Sequence, residues 1–408
     1  MSGADPSLRV LELETFGRGG LIHYAYNLSC ALAERGHRVT LWTTRGYELD
    51  GHAPLPAGLR LETSLARWSQ GGRRRVGRRI GSRFGPGVGP QLEALVDAVR
   101  VAWSLRRRRP DVVHLHSTNT SAIAFLACLR LAVLLGWAPR ATRLAITAHV
   151  VTPHERGRLD RFIFGTLFRL ADLVVAHSEV DRGRLERELG VVRSRIVVLP
   201  HGEYGFFERL HGAPPTRAEA RRVLDLADDE EVALFFGYVR EYKGLDLLLD
   251  AWPSVAEVRP RARLVIAGEA GRLPTARRRE LEEQARRLGA RVHFGYVPFD
   301  DVPRYFAAAD LLVMPYRHIS QSGVLYLALA QGVPVVATRV GALPEMLTDG
   351  ASALLVQPED STALAAALAR ALGDASLRAR LAAGGREVAA AHSWPSIAER
   401  TADAFARL

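Results

Sequence analysis

Apolar residues along this chain fall into short runs closed by glycine, proline or a polar loop. These runs alternate with longer segments of helical period. In the first half, residues 8–13, 39–43, 111–115, 144–148, 173–176 and 196–199 read as buried strands. In the second half, 232–236, 264–267, 292–294, 311–314 and 333–338 read the same way. Between them the pattern predicts helices over 21–34, ended by Gly36, over 91–105, from 244 to 258, and over 324–330, stopped by Gly332. Segment 121–137 is strongly apolar but is interrupted by Arg130 and is short for a membrane span, so it predicts a helix buried against a sheet. Composition shifts at 204–221, a stretch carrying proline, glycine and arginine, after which the alternation restarts. Strands alternating with helices twice over predict an α/β protein of two Rossmann-like, doubly wound domains, 1–203 and 204–390. The last segment, 391–408, predicts an amphipathic helix that packs back on the first domain.

Several loops in this pattern stand where parallel sheets receive ligands, beyond the carboxyl ends of strands. Ser320, Gln321, Ser322, Gly323 and Val324 follow the strand 311–314 and open a helix, the position where amides and hydroxyls meet an anion. The same serines also serve as ordinary helix caps, at Ser320 or Ser322. Gly17, Gly19 and Gly20 form a turn between the first strand and the first helix, where a backbone must approach a ligand closely. No acidic residue ends the second strand, so this turn is not a dinucleotide site. His149 follows the strand 144–148, and His114, His116, His154 and His201 also sit near strand ends. No HxxxH or matched carboxylate spacing accompanies them, so no metal site is expected.

With 48% hydrophobic and 24% charged residues over 408 positions, the chain has material for two cores. Cys30 and Cys128 provide neither a disulfide framework nor a metal spacing. The opening MSGADPSLRV has no basic and apolar export signal, so a reducing cytoplasm is expected. Charge alters the picture more. There are 55 Lys and Arg against 44 Asp and Glu, and no acid lies between Glu62 and Glu93. That interval holds Arg67, Arg73, Arg74, Arg75, Arg78, Arg79 and Arg83, and Arg106 to Arg109 form a second cluster. Such a patch is either a solvated basic loop or an attractor of polyanions. Trp68, Val76, Ile80 and Phe84 interleave with the arginines, which points to the anionic inner face of a membrane. Nucleic acid is not expected, because Trp68 and Phe84 are too few aromatics for base stacking.

Taken in order, the Gly17–Gly20 turn, His149, Pro200-His201-Gly202, Gly237-x-x-Arg240-x-x-Lys243-Gly244, Gly268, Gly332-x-Pro334 and Gly341-x-x-x-Glu345 make nearly the whole chain resemble the glycosyltransferases of family 4. The resemblance implies the GT-B fold, two Rossmann-like domains facing across a cleft with the C-terminal helix crossing back to the first. It implies a retaining, metal-independent transfer from a UDP- or GDP-sugar to a glycan, a lipid-linked glycan or another acceptor. The nucleotide sugar is then a substrate, and no cofactor is expected. Arg240 and Lys243 would clamp the two phosphates as negative charge builds on the leaving group. Gly19 and Gly20 would offer amides to the diphosphate or sugar, and Ser322, Gly323 and Val324 would receive the distal phosphate. Gly268 and Val297 would wall the nucleobase, with Glu345 also on the donor side. His149 would lie near the transferred sugar or the acceptor, binding hydroxyls or shuttling a proton, with Gly19 and His116 beside it on the acceptor side.

One departure stands out. Family members usually carry two glutamates eight positions apart, one near the donor sugar and one on the ribose, and these positions hold Ile319 and Leu327 here. Three readings follow: a variant loop in which Ser320, Gln321 and Ser322 bind the donor differently, an unusual donor, or a catalytically idle relative. Retention of Arg240, Lys243 and Glu345 favours the first, since an idle chain has no need of a phosphate clamp. A non-catalytic scaffold subunit and a nucleotide-sugar epimerase are the competing assignments.

Overall fold

The computed structural model describes residues 7–51, 55–66, 88–117, 120–151, 158–205, 214–271 and 273–408; the basic stretch 67–83 and His154 lie outside these. The chain forms two compact units, Met1–His201 joined by Trp394–Leu408, and Gly202–Ser393. The sequence pattern placed these divisions at 203/204 and 390/391.

The first unit contains β1 (Arg9–Leu13), β2 (Arg38–Thr44), β3 (Leu59–Leu65), β4 (Val112–Leu115), β5 (Arg143–Thr147), β6 (Leu173–Ala176) and β7 (Ile196–Val198). They pair in the order β3-β2-β1-β4-β5-β6-β7, and every pairing is parallel. The second unit repeats the scheme with β8 (Glu231–Phe236), β9 (Ala262–Ala267), β10 (Arg291–His293), β11 (Leu311–Met314), β12 (Val335–Thr338) and β13 (Leu354–Val356). Their order is β10-β9-β8-β11-β12-β13, again parallel throughout. Strand order therefore reverses between β1 and β4, and again between β8 and β11. Connections leave such a point toward opposite faces, opening a crevice at the carboxyl ends of the strands.

Continuous apolar strands must be covered on both faces, and helices do this. In the first unit Leu13, Val113, Leu115 and Ile146 pack with Phe125, Leu129 and Phe168 of the helices Thr120–Leu134 and Arg158–Arg169. In the second, Phe235, Ile266 and Val313 pack with Leu248, Trp252 and Leu368. The helix Trp394–Ala406 belongs to the first unit. Phe405 joins Val10, Val112, Ala145 and Val175 in a further cluster, and Arg400 donates to the Val198 carbonyl at 2.9 Å. Burying a side chain such as Phe405 contributes about 1.5–3 kcal/mol.

A buried ionic network fixes the two strands that carry the site of the second unit. Arg221, fully enclosed, donates to Asp310 at 2.9 Å and to the carbonyls of Ala227, Asp228 and Glu230. Asp310 also accepts from the Val232 amide at 2.7 Å. The N-terminal ends of β8 and β11 are thus held side by side, which sets the positions of their far ends.

Two strands escape the sequence pattern. LRLETSL of β3 pairs at one edge of its sheet, where most of its positions stay half-buried and polar residues are tolerated. β13 is three residues long and sits at the edge of the other sheet. The apolar segment expected to be a buried helix is Thr120–Leu134, yet Leu131 and Leu134 on it are exposed. Among the described residues, no helix is long and apolar enough to cross a membrane.

Candidate active site

In the second unit, the loop leaving β8 starts at Gly237 and ends at Gly244, both with positive φ, 95° and 64°. Gly244 has a second constraint, since an added Cβ would lie 2.0 Å from the Pro315 carbonyl oxygen. That contact brings this loop against the loop leaving β11. The Arg317 amide donates to the Tyr242 carbonyl at 2.7 Å, and the Arg317 guanidinium bonds the Glu241 carbonyl and both Asp246 oxygens at 2.8–2.9 Å. The two loops at the strand-order reversal are therefore one braced structure.

Lys243 is buried within it, 6% exposed, with its ammonium 5.2 Å from the Tyr316 ring centroid. Burial pulls its pKa below the usual lysine value, and the Arg240 charge adds to this against an opposing effect of Tyr242. Arg240 is half-buried and lies over the Tyr238 ring at 5.2 Å. A Cβ at Gly237 would meet both Lys243 Nζ at 3.0 Å and Val324 Cγ2 at 3.1 Å. The ammonium and the first turn of the helix Gly323–Ala330 thus flank one bare stretch of backbone. Ser322 takes the N-cap position in extended conformation without a side-chain capping bond, and its hydroxyl pairs with Tyr316. Ser320, 4% exposed, has no hydrogen-bond partner for Oγ. Gln321 is half-buried beside it. A cation, a helix N-terminus and an unsatisfied hydroxyl make this pocket of the fold suited to a phosphate.

The other donor-side residues occupy neighbouring strand ends. Gly268, past β9, has a Cβ position 1.8 Å from the Gly237 carbonyl oxygen, so only glycine fits there. Val297, 9% exposed, follows β10. Glu345 is exposed on the short helix Leu343–Met346 beyond β12. Ile319 and Leu327, at the two departing positions, are both buried. Ile319 is also pinned through its backbone, because a Cβ at Gly341 would lie 1.7 Å from its carbonyl oxygen.

In the first unit, the glycine turn is occupied by the protein's own carboxylates. The Phe16 and Gly17 amides donate to Glu14. The Gly19 amide donates to Glu48 at 2.6 Å, and Glu48 also lies 3.0 Å from His23. Burial acts to raise the Glu48 pKa, but the contacts with His23 and the Gly19 amide outweigh it and lower the value. Gly19, expected to offer its amide to an incoming ligand, donates it to Glu48 here. Gly20 begins the helix Gly20–Glu34 directly after it.

The histidines form one cluster. His116, His149, His177 and His201 follow β4, β5, β6 and β7, and Tyr24 lies among them with ring centroids 4.9–5.5 Å away. His116 Nε2 lies 2.6 Å from Glu12 Oε2, and His114 Nδ1 is 2.8 Å from the same oxygen. His116 Nδ1 faces His149 Nε2 at 3.5 Å, His149 Nδ1 faces His177 Nε2 at 3.3 Å, and His177 Nδ1 donates to the Leu199 carbonyl at 2.9 Å. Burial holds His116 and His177 down to about 4, and burial with the surrounding imidazoles holds His149 well below the usual value. Glu12 is held at about 2: burial alone would raise it, and the two imidazoles outweigh that. Expected as an acceptor contact, His116 is instead fully enclosed and sits behind His149, which is half-buried. Sequence spacing could not pair Glu12 with residues a hundred positions away. A charge inside the apolar run VLEL was the available signal, since a buried charge needs a partner. His177 was legible too, as another histidine past a strand end.

One ligand atom each from Glu12, His114 and His116 lies within 4.8 Å of the others, a donor set that by type suits a divalent cation. The same carboxylate oxygen, Glu12 Oε2, lies 2.6 Å from His116 Nε2 and 2.8 Å from His114 Nδ1.

Two parallel sheets of this order, with a cationic loop and a helix N-terminus at the strand reversal of the second, define a GT-B glycosyltransferase. Residues 18–202 match the family described as Glycosyltransferase Family 4, and residues 230–374 match Glycosyl transferases group 1. A D-inositol 3-phosphate glycosyltransferase of Streptomyces bingchenggensis is 31% identical over 332 residues, 78% of this chain and 71% of the relative. One of the same name from Segniliparus rotundus is 30% identical over 349 residues, covering 83% and 73%. A structure of Anabaena HepE in complex with UDP-glucose superimposes with a TM-score of 0.74 at 20% identity, over 98% of this chain and 100% of that one. Sucrose-phosphate synthase from Thermosynechococcus elongatus does so at 0.71 and 21%, over 98% of each. The chain belongs to glycosyltransferase family 4, and it is a retaining enzyme that moves a sugar from a nucleotide-sugar donor to an acceptor.

Proposed function

We propose that the donor is a UDP- or GDP-sugar whose diphosphate is held without a metal by Arg240, Lys243 and the N-terminus of the helix Gly323–Ala330. The observation that carries this reading is the convergence of Lys243 Nζ and Val324 on Gly237, with the unsatisfied Ser320 hydroxyl in the same braced loop pair. Gly268 and Val297, on the two strand ends that continue from β8, suit the nucleobase side. Ser320, Gln321 and Ser322 take over from the glutamates replaced by Ile319 and Leu327. A thermal-shift panel of UDP, GDP, ADP, TDP and their sugars tests this. A ligand present at 100 times its Kd stabilises the native state by about 2.7 kcal/mol. One nucleotide class is expected to raise Tm clearly, with the shift lost in Arg240→Ala. A flat panel would refute the assignment.

We infer that the acceptor binds the first unit near His149 and is reached at a membrane surface on its cytoplasmic face. The curated relatives are named for D-inositol 3-phosphate, so a phosphorylated cyclitol is the first soluble acceptor to assay, beside lipid-linked glycans. Support for the membrane comes from two packed helices, Val88–Arg108, which follows the basic stretch in the sequence, and Thr120–Leu134. Val96, Val99 and Trp103 are exposed on one, and Leu131, Leu134 and Trp137 on or just past its packing neighbour. Arg107 lies over the Trp103 ring at 4.2 Å. An amphipathic face of aromatics and arginines sits at a headgroup boundary. Replacing Trp103 and Trp137 by serine is expected to abolish sedimentation with vesicles containing phosphatidylglycerol and to leave nucleotide binding intact. Undiminished sedimentation would remove the membrane from the proposal.

A further inference from the structure

The helix Val88–Arg108 covers one face of the first sheet for only part of the length of its strands. Leu11, Leu13 and Trp42 pack there with Ala98, Val101 and Leu105 of the helix. Toward the amino ends of the same strands the helix stops, and the face opens into a cleft of about 540 Å³. That volume is within the range of small-ligand sites.

Strand register decides what surrounds the cleft. Side chains alternate along a strand, and parallel partners in register point to the same face. Arg9 pairs with Arg38 and Leu11 with Thr40, and Thr40 pairs in turn with Arg60. Arg9, Arg38 and Arg60 therefore stand on the face that the buried Leu11 occupies. Arg108, at the end of the helix, borders the cleft from the other side. Four guanidinium groups from four elements thus line one concavity.

Acids answer these charges incompletely. Glu62 accepts from Arg108 at 2.6 and 2.7 Å and lies 3.1 Å from Arg60, so one carboxylate serves two arginines. Asp111 takes the Arg9 amide at 2.8 Å, not its guanidinium. Among the described residues, the exposed side chains of Arg9 and Arg38 make no ion pair and no hydrogen bond. Cations fixed in register on neighbouring strands repel one another, and an anion between them relieves the repulsion.

We propose that this cleft binds a phosphate group at a site separate from the donor site. Guanidinium forks match phosphate oxygens two at a time, and the half-buried Thr40 adds a hydroxyl. The cleft lies at the amino ends of β1 and β2, whereas the glycine turn and the histidines lie past the carboxyl ends of the strands. The length of β1 alone separates them by about 13 Å. The occupant carries a phosphate monoester or a diphosphate, free in solution or on the headgroup of an anionic lipid. It ties β1, β2 and β3 to the end of the helix, which stabilises the first unit without entering the transfer step. The inference stands independently of the donor assignment.

Calorimetric titration of the full chain with inorganic pyrophosphate is the first test. Binding is expected to persist in Lys243→Met, to weaken with added salt, and to weaken by about tenfold or more in Arg9→Ser/Arg38→Ser, which removes two charged donors. Arg9→Lys/Arg38→Lys keeps the charge without the forks and should bind more tightly than the serine variant. The empty serine variant should melt no earlier than the wild type and should transfer sugar to a soluble acceptor at the wild-type rate. Sedimentation with phosphatidylglycerol vesicles, against phosphatidylcholine controls, separates the two sources. A serine variant that no longer sediments identifies the lipid headgroup; one that loses pyrophosphate but sediments normally identifies a free phosphate. Pyrophosphate affinity and sedimentation both unchanged in Arg9→Ser/Arg38→Ser would overturn the site and leave the donor assignment standing.

Discussion

Lys243→Met is expected to lower kcat/KM for sugar transfer by about 10²–10³-fold, the scale of losing one preorganised donor to a developing negative charge. The same substitution should leave Tm unchanged or raise it. Lys243 is buried against Tyr316 with a pKa drawn down by that burial, so in the empty enzyme its charge costs desolvation. Methionine matches the stem in volume and removes that cost. The opposite signs of the two effects separate a phosphate clamp from a structural lysine. An arriving diphosphate restores to the ammonium the partner that burial denies it, so the charge is most favourable when the leaving group departs. Arg240 is half-buried and should give a smaller stability change with a loss of transfer of similar direction. Steady-state kinetics with the donor selected by the thermal-shift panel, together with calorimetric melting of both proteins, gives the answer. A variant that melts early but turns over normally would reverse the assignment.

Acid should unfold the first unit well before the second. His116 and His177 bind a proton with pKa values of about 4 in the folded state, against about 6.5 for an unfolded histidine. The unfolded chain therefore holds more protons between pH 6.5 and 4, and stability falls as pH drops through that window. Each histidine contributes on the order of 3 kcal/mol by this route, a large share of the ~5–15 kcal/mol that holds a domain together. Below it, Glu12 adds a second loss. Its folded pKa is about 2 against a model value of 4.5, so its contribution is present above 4.5 and fades as pH falls toward 2. Calorimetric scans at steps from pH 7.5 to 4 should show the transition of the first unit moving steeply downward below pH 6.5. His177→Phe, which removes one of the protonatable rings, should flatten that slope. A transition independent of pH across the window would contradict the neutral, enclosed histidine cluster.

The residues of the candidate site were legible to different degrees for identifiable reasons. The loop from Gly237 to Gly244 could be read because it depends on local constraints: positive φ at both ends and a charge spacing of three. The strands β4, β6, β11 and β12 could be read because, buried on both faces, they are apolar at nearly every position. β3 could not, since an edge strand obeys no such demand. The histidines past β4, β5 and β7 were visible as residues at strand ends, but their roles were not. His116 was expected to meet a ligand and lies enclosed behind His149. The Gly19 amide was expected to be open and is taken by Glu48, a residue remote from it in the sequence.

By itself the sequence determined the two parallel α/β domains, the family, and the cationic loop and helix N-terminus of the second unit. All of these follow from periodicity and from motifs a few residues long. Tertiary structure alone decided which carboxylates answer which donors. Glu12 meets His114 and His116 because β1 and β4 pair in parallel, and the four histidines past β4 to β7 meet because adjacent strands end side by side about 4.8 Å apart. Electrostatics in a protein interior depends on distance and burial, and neither is written in the spacing along a chain.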